Sequence, residues 1–187
     1  LEKRTIVVVI TGGIAAYKSL DLIRQLRRAG AEVRPVVTPA ACHFVTPLAV
    51  AALAENAVHQ DQFSLTEESE MGHIRLVREA DLVIVAPATA NTLAKMAAGI
   101  ADNLATCALL AADIPILAAP SMNVMMWHHP ATRANLALLR ERGLEVVGPG
   151  TGDLACGEAG EGRMAEPEEI VAAARALIGR GPLSGRR

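Results

Sequence analysis

The residue types that chemistry needs are concentrated in a few short stretches. In APSMNVMMWHHP (119–130) a run of small apolar residues gives way to Asn123 set among Met122, Met125 and Met126, then to Trp127, the only tryptophan, and two histidines. In TGG (11–13), Gly12 and Gly13 lead directly into a helical stretch, where free backbone N–H groups can receive an anion. TGGIAAYKS lacks the third glycine of GxGxxG and the GK[ST] order of a triphosphate loop. Neither a dinucleotide nor ATP is indicated, which leaves a mononucleotide or a plain tight turn. APATANT (86–92) crowds Thr89, Asn91 and Thr92 at another helix start, a cradle for phosphate oxygens or a set of ordinary caps.

His73 stands one residue into a helix that follows Gly72. There the dipole disfavours the imidazolium, so a neutral ring able to accept a proton is one reading, and a surface or capping histidine is the other. Cys156 lies in ACGEAGEGRM (155–164), where a thiol, flexible backbone and Arg163 together suit a flap that closes over a substrate. The bland alternative is an unreactive loop cysteine. Cys42 and Cys107 sit in apolar, helix-like settings and are assigned to packing. No HExxH or other ligand spacing joins the histidines to the cysteines, so no metal is expected.

Elements are needed to bring these stretches together. TIVVVITGG reads as a buried strand, IAAYKSLDLIRQLRRAG as a helix closed by Gly30, and AEVRPVVT as a second strand, a β-α-β unit with a parallel sheet. Thr46 and Pro47 mark a helix start within PAACHFVTPLAVAALAEN, and HQDQFSLTEESE is polar and exposed. GHIRLVREA is a short helix, DLVIVAPATAN a strand, TLAKMAAGIADNLATCALLAA one or two helices, and DIPILAAPSMN a buried strand. HPATRANLALLRERG, LEVVGPG and PEEIVAAARALIG follow as helix, strand and helix. TGDLACGEAGEGRMAEP shows neither helical nor strand period and is longer than the roughly 12–15 residues usual for a structureless connection, which marks it as functional or disordered. In an open parallel sheet ligands gather at the carboxyl ends of strands, where TGG, VTPA, APATANT and APSMN all fall.

The 187 residues suffice for one core, with 1–179 as the domain and 180–187 as a tail or the start of a linker. At 51% hydrophobic, 20% charged and net charge −2, the chain suggests neither disorder nor general nucleic-acid binding. Aromatics are only 2%, so flat faces for a planar ligand must come from backbone, aliphatic side chains or a neighbouring subunit. Three widely spaced cysteines read as reduced thiols, and no apolar run reaches the roughly 18 residues a membrane span needs, so a soluble cytoplasmic location is expected.

Taken together, TGGIAAYK, APATANT, GHI (72–74), PSMNVMMW (120–127) and ACGEAGEGRM resemble the homo-oligomeric flavin-containing cysteine decarboxylases, and within them the phosphopantothenoylcysteine decarboxylase branch. The first two motifs are shared with flavin prenyltransferases, whereas the last three are specific to the cysteine decarboxylases. The resemblance implies an α/β, Rossmann-like (flavodoxin-like) three-layer domain with a mostly parallel sheet and a flexible substrate-covering flap. It implies FMN beside Gly12, Gly13, Ser19, Thr38, Ala86, Thr89 and Asn91. His73, Asn123 and Cys156 are the implied catalytic residues. Asn123 would hold the substrate carboxylate, with Met125, Met126, Ala155, Arg163 and Met164 lining the substrate site. Phosphopantothenoylcysteine is the implied substrate, and a homotrimer, assembled further into a dodecamer in some members, is the implied assembly.

An uncharged amide at Asn123, dried by Met125, Met126 and Trp127, can hold a carboxylate and still release it as neutral carbon dioxide. The C-terminal phosphopantothenate–cysteine ligase domain of bifunctional relatives is absent from this sequence. Asn103 stands where coenzyme A pathway members often show a second acidic residue, which points toward the alternative of a peptidyl-cysteine substrate. A catalytically inactive flavin-binding regulatory protein is the other alternative.

Overall fold

The run TIVVVI forms β1 (Thr5–Ile10), and Ile6 through Ile10 are all inaccessible to solvent. A strand apolar on both faces belongs at the centre of a covered sheet. In the computed structural model, which describes residues 1–60, 72–153, 157 and 159–179 (backbone alone at 72 and 73), it does. β2 (Glu32–Val37), β3 (Leu82–Ala88), β4 (Ile116–Pro120) and β5 (Glu145–Val146) complete a parallel sheet of order β2-β1-β3-β4-β5. The chain order reverses between β1 and β3, so the crevice between their carboxyl ends is the place a ligand can enter.

Alternation along β1 sorts the core into two layers. Ile6, Val8 and Ile10 face α1 (Ala16–Arg28), α2 (Pro47–Ala54) and α8 (Pro167–Gly179), packing with Leu22, Ile23, Leu26, Val50 and Ile170. Val7 and Val9 face the other side, with Leu76 and Val77 of α3 (Gly72–Arg78), Leu93 of α4 (Ala90–Ala98), Leu104 of α5 (Leu104–Ala111), Trp127 of α6 (Val124–His128) and Leu136 of α7 (Pro130–Glu141). Helix, sheet and helix make the three-layer α/β fold that the family resemblance implies, on the parallel sheet that the periodicity predicts.

Local chemistry sets the boundaries. Thr46 caps α2 by accepting from the Ala49 N–H at 3.2 Å, with Pro47 in the first turn, as expected. The stretch read as one or two helices is two, because Gly99 adopts a left-handed conformation (φ 71°) that ends α4 and Asn103 starts α5. Asn103 and Thr106 form a reciprocal capping box, with Thr106 N–H to Asn103 Oδ1 at 3.0 Å and Asn103 N–H to Thr106 Oγ1 at 3.1 Å. Asn and Asp cap helices about equally well, so the capping role alone accounts for an uncharged residue at position 103.

Two expectations need correction. The segment read as lacking any strand period contains β6 (Gly150–Asp153) and β7 (Ala159–Arg163), paired antiparallel as a separate ribbon. Its sequence hides this because the ribbon docks by backbone: Met122 N–H donates to the Gly162 carbonyl at 3.0 Å, and glycines replace the alternating side chains of an ordinary strand. The single-turn helix α6 was also not foreseen in PSMNVMMW. The polar stretch within 61–71 lies outside the described residues. Among the described residues, no helix is long and apolar enough to cross a membrane.

Candidate active site

Thr11, Gly12 and Gly13 leave the end of β1 and meet the end of β3. The Thr11 hydroxyl, 1% exposed, donates to the Pro87 carbonyl at 2.6 Å, and the buried Ser19 hydroxyl donates to the Ala86 carbonyl at 2.7 Å. These bonds tie β1 and α1 to the last residues of β3. Ser19 and Ala86 therefore lie beneath the crevice, and the Ser19 hydroxyl is occupied in holding its floor. A Cβ on Gly13 would sit 3.4 Å from Cγ2 of Thr89, in van der Waals contact across the two strand ends. A Cβ on Gly12 would overlap Ala40, because the turn 39–43 is pressed against the glycine. Thr38 fixes that turn, its hydroxyl accepting from Ala41 N–H at 3.3 Å and donating to the Ile10 carbonyl at 3.3 Å.

Thr89 caps α4. Its hydroxyl accepts from the Thr92 N–H at 3.3 Å and lies 3.0 Å from the Thr92 hydroxyl. Asn91 is exposed in the first turn of the same helix. Gly13 and Thr89 thus face each other across the ends of β1 and β3, Gly12 packs on the turn that Thr38 fixes, and Asn91 is exposed at a helix start, where an anion is favoured.

Asn123 stands at the end of β4, one strand further along. Its Oδ1 accepts from the Met125 N–H at 2.7 Å and the Met126 N–H at 3.4 Å, capping α6. The amide oxygen is thus engaged by the backbone of α6. Met125 is 73% and Met126 49% exposed, so in the single chain neither dries the surroundings of Asn123. Trp127 points the other way, 4% exposed in the core beneath α6, with its Nε1–H donating to Glu161 Oε2 at 3.0 Å.

Of the remaining candidates, His73 is the second residue of α3, and its side chain lies outside the described residues, as do Ala155 and Cys156 entirely. Met164 is 1% exposed within the core, its side chain taken up by packing. Arg163 Nη2 reaches Glu166 Oε1 at 2.8 Å, and the same oxygen receives Lys18 Nζ at 2.9 Å. Lys18, 8% exposed, also donates to the Met164 carbonyl at 3.3 Å. The hydrogen bond from Lys18, supported by the charges of Lys18 and Arg163, holds the Glu166 carboxyl below the usual carboxylate range.

Sequence reasoning missed Thr11, Lys18 and Glu161. Thr11 left a signal, a hydroxyl ending an otherwise apolar strand at the chain reversal. Lys18 and Glu161 left none, since their partners lie 148 and 34 residues away. Among the described residues no group of histidine, cysteine and acidic side chains has metal-holding geometry. A cavity of about 830 Å³ opens at the opposite, amino end of the sheet, lined by Lys95, Met96, Leu109, Ile114, Leu139 and Arg142. None of the candidate residues reaches it, and a parallel sheet offers its reactive loops at the other end.

Residues 1–179 match the family model described as Flavoprotein. Among curated proteins, the chain is 51% identical over 173 residues to the coenzyme A biosynthesis bifunctional protein CoaBC of Haemophilus influenzae, covering 92% of this chain and 43% of that protein. It thus spans under half the length of that relative. Among solved structures, a Cys-to-Ser mutant of a PPC decarboxylase complexed with pantothenoylaminoethenethiol superposes with a TM-score of 0.87 at 35% identity, over 95% of this chain and 100% of that one. The FMN binding protein AtHal3 superposes with a TM-score of 0.84 at 36% identity, over 96% and 98%.

Proposed function

The chain belongs to the flavoprotein family, and from that premise we propose that it is an FMN-dependent decarboxylase converting (R)-4'-phospho-N-pantothenoylcysteine to 4'-phosphopantetheine and carbon dioxide. The observation that carries this reading is the match along the whole length of a PPC decarboxylase that holds pantothenoylaminoethenethiol, the enethiol expected after carboxylate loss.

The residues present suit FMN. A Cβ on Gly13 would reach van der Waals contact with Thr89, so the glycine keeps the end of β1 open beside α4, whose first turn offers backbone donors for a phosphate. Gly12, Gly13, Thr38, Thr89 and Asn91 would hold the cofactor, with Ser19 and Ala86 forming the floor under it. When bound, FMN supplies a reversible two-electron oxidation at the substrate's sulfur-bearing carbon, which gives carboxylate loss an electron sink.

The protein's own groups do the rest. The Asn123 amide donates to the substrate carboxylate without a full positive charge, so the charge can disappear as carbon dioxide leaves. His73 holds or moves a proton at the oxidised carbon, and Cys156 gives the proton that completes the product. Arg163 is anchored to Glu166 and brings positive charge to the base of the ribbon.

Three copies complete the site in this reading. Ile14, Tyr17, Phe44 and Leu48, on segments flanking Gly12, Gly13 and the turn 39–43, expose large apolar surface, and Met125 and Met126 are open to solvent. A neighbouring subunit covering them would supply both the dryness and the flat surfaces that one chain lacks. The cysteines are assigned as reduced thiols in the cytoplasm.

The test is anaerobic incubation of yellow, FMN-loaded protein with phosphopantothenoylcysteine, following the flavin spectrum and the product mass. The wild type should form phosphopantetheine with no net change in flavin. Cys156→Ser should release carbon dioxide and accumulate the enethiol, and normal phosphopantetheine output from that variant would remove Cys156 from the scheme.

A further inference from the structure

α6 has five residues, too few to be stable by its own hydrogen bonds. Its orientation, and that of the Asn123 amide that caps it, must be imposed from outside. β7 supplies both constraints. At one end Met122 N–H donates to the Gly162 carbonyl at 3.0 Å. At the other, Trp127 Nε1–H donates to Glu161 Oε2 at 3.0 Å, while His128 Nε2 lies 3.5 Å from the same oxygen. Trp127 is bonded back to the cap residue, its N–H donating to the Asn123 carbonyl at 2.9 Å, and the guanidinium of Arg133 lies 5.5 Å from the indole centroid. The indole is therefore a lever with the Asn123 amide at its far end.

We propose that Glu161 is a positioning residue for the decarboxylation site: by holding the Trp127 indole N–H it fixes the rotation of α6, and through α6 the direction of the Asn123 amide. Glu161 touches neither cofactor nor substrate in this scheme. A buried indole N–H needs an acceptor, and the carboxylate of Glu161 supplies it on the strand that also holds Met122. This rests on the reading of Asn123 as the carboxylate-binding residue.

The experiment uses FMN-loaded protein and three variants, with two readouts: KM for phosphopantothenoylcysteine and the emission of Trp127, the only tryptophan in the chain. Glu161→Ala should raise KM roughly tenfold or more, as misplaced positioning groups do, while FMN content stays that of the wild type and Trp127 emission shifts. Glu161→Gln keeps an amide oxygen for the indole and should stay within about twofold of wild-type KM with wild-type emission. Where Glu161→Ala fails to fold, Trp127→Phe keeps an aromatic ring in the core while removing the N–H donor along with part of the indole, and should raise KM similarly.

Wild-type KM in Glu161→Ala or Trp127→Phe, or a loss in Glu161→Gln as large as in Glu161→Ala, would overturn the assignment. The emission separates the two levels. An inactive wild type whose emission still responds to Glu161→Ala sinks the decarboxylase reading, whereas an active wild type with unresponsive emission sinks the role of Glu161.

Discussion

A single uncharged amide, Asn123, carries the substrate's negative charge in this scheme, and its use follows from what the reaction does to that charge. Asn123→Asp keeps the shape and the capping oxygen, so α6 should form as before, but it sets carboxylate against carboxylate. Turnover on phosphopantothenoylcysteine should fall roughly a hundredfold or more, with FMN still bound, as measured by steady-state kinetics beside the flavin absorbance. Asn123 was legible in the sequence because an amide among methionines is conspicuous. Lys18 and Glu161 were not, because one buried cation and one exposed acid look like any others until the fold brings Glu166 and Trp127 to them.

The elements show the same division. β1 to β3 were legible because buried parallel strands are rich in β-branched residues and β4 as a short buried apolar run, and the longer helices because caps such as Thr46 and stops such as Gly99 lie within the sequence they govern. β6 and β7 were not, since their partner surface is the backbone of Met122 and their own residues have little strand propensity. Gly162 has φ 139°, and a Cβ there would overlap the Met122 carbonyl oxygen. Gly162→Ala should therefore cost about 2 kcal/mol or more, seen in chemical denaturation, with proteolytic cleavage near the ribbon rising before the sheet unfolds.

The base of the ribbon also has a pH signature. The Glu166 carboxyl titrates below its ordinary value of 4.5 in the folded chain, chiefly through its bond from Lys18. Its stabilising contribution is thus complete above that value and is lost as pH falls through the folded-state value. Glu166→Gln should lower stability at pH 7 by about 1–2 kcal/mol, less than for a fully buried pair because Glu166 is half in solvent. The gap in Tm from wild type should hold from pH 7 down to about 5 and narrow below it.

For the molecule as a whole, the low aromatic content left backbone, aliphatic side chains or a neighbouring subunit to cover a planar cofactor, and the exposed apolar side chains mark where a neighbouring subunit would sit. Leu48 is 81% exposed beside the turn that presses on Gly12. Leu48→Arg leaves the two core layers untouched, so each chain should fold. On the proposed trimeric assembly, sedimentation should then show single chains for the variant and trimers for the wild type, and the colour of bound FMN should be lost on gel filtration of the variant. A trimer that survives Leu48→Arg with FMN intact would place the contact elsewhere.

The ribbon's glycines have a consequence for how such a scaffold diversifies. Gly160 and Gly162 meet Val124 and Met122 with bare backbone, leaving no side chain on that face to exchange for another. A descendant that accepts a bulkier or differently charged cysteine derivative would therefore make its changes outside these two glycine contacts, while the mount itself stays blank.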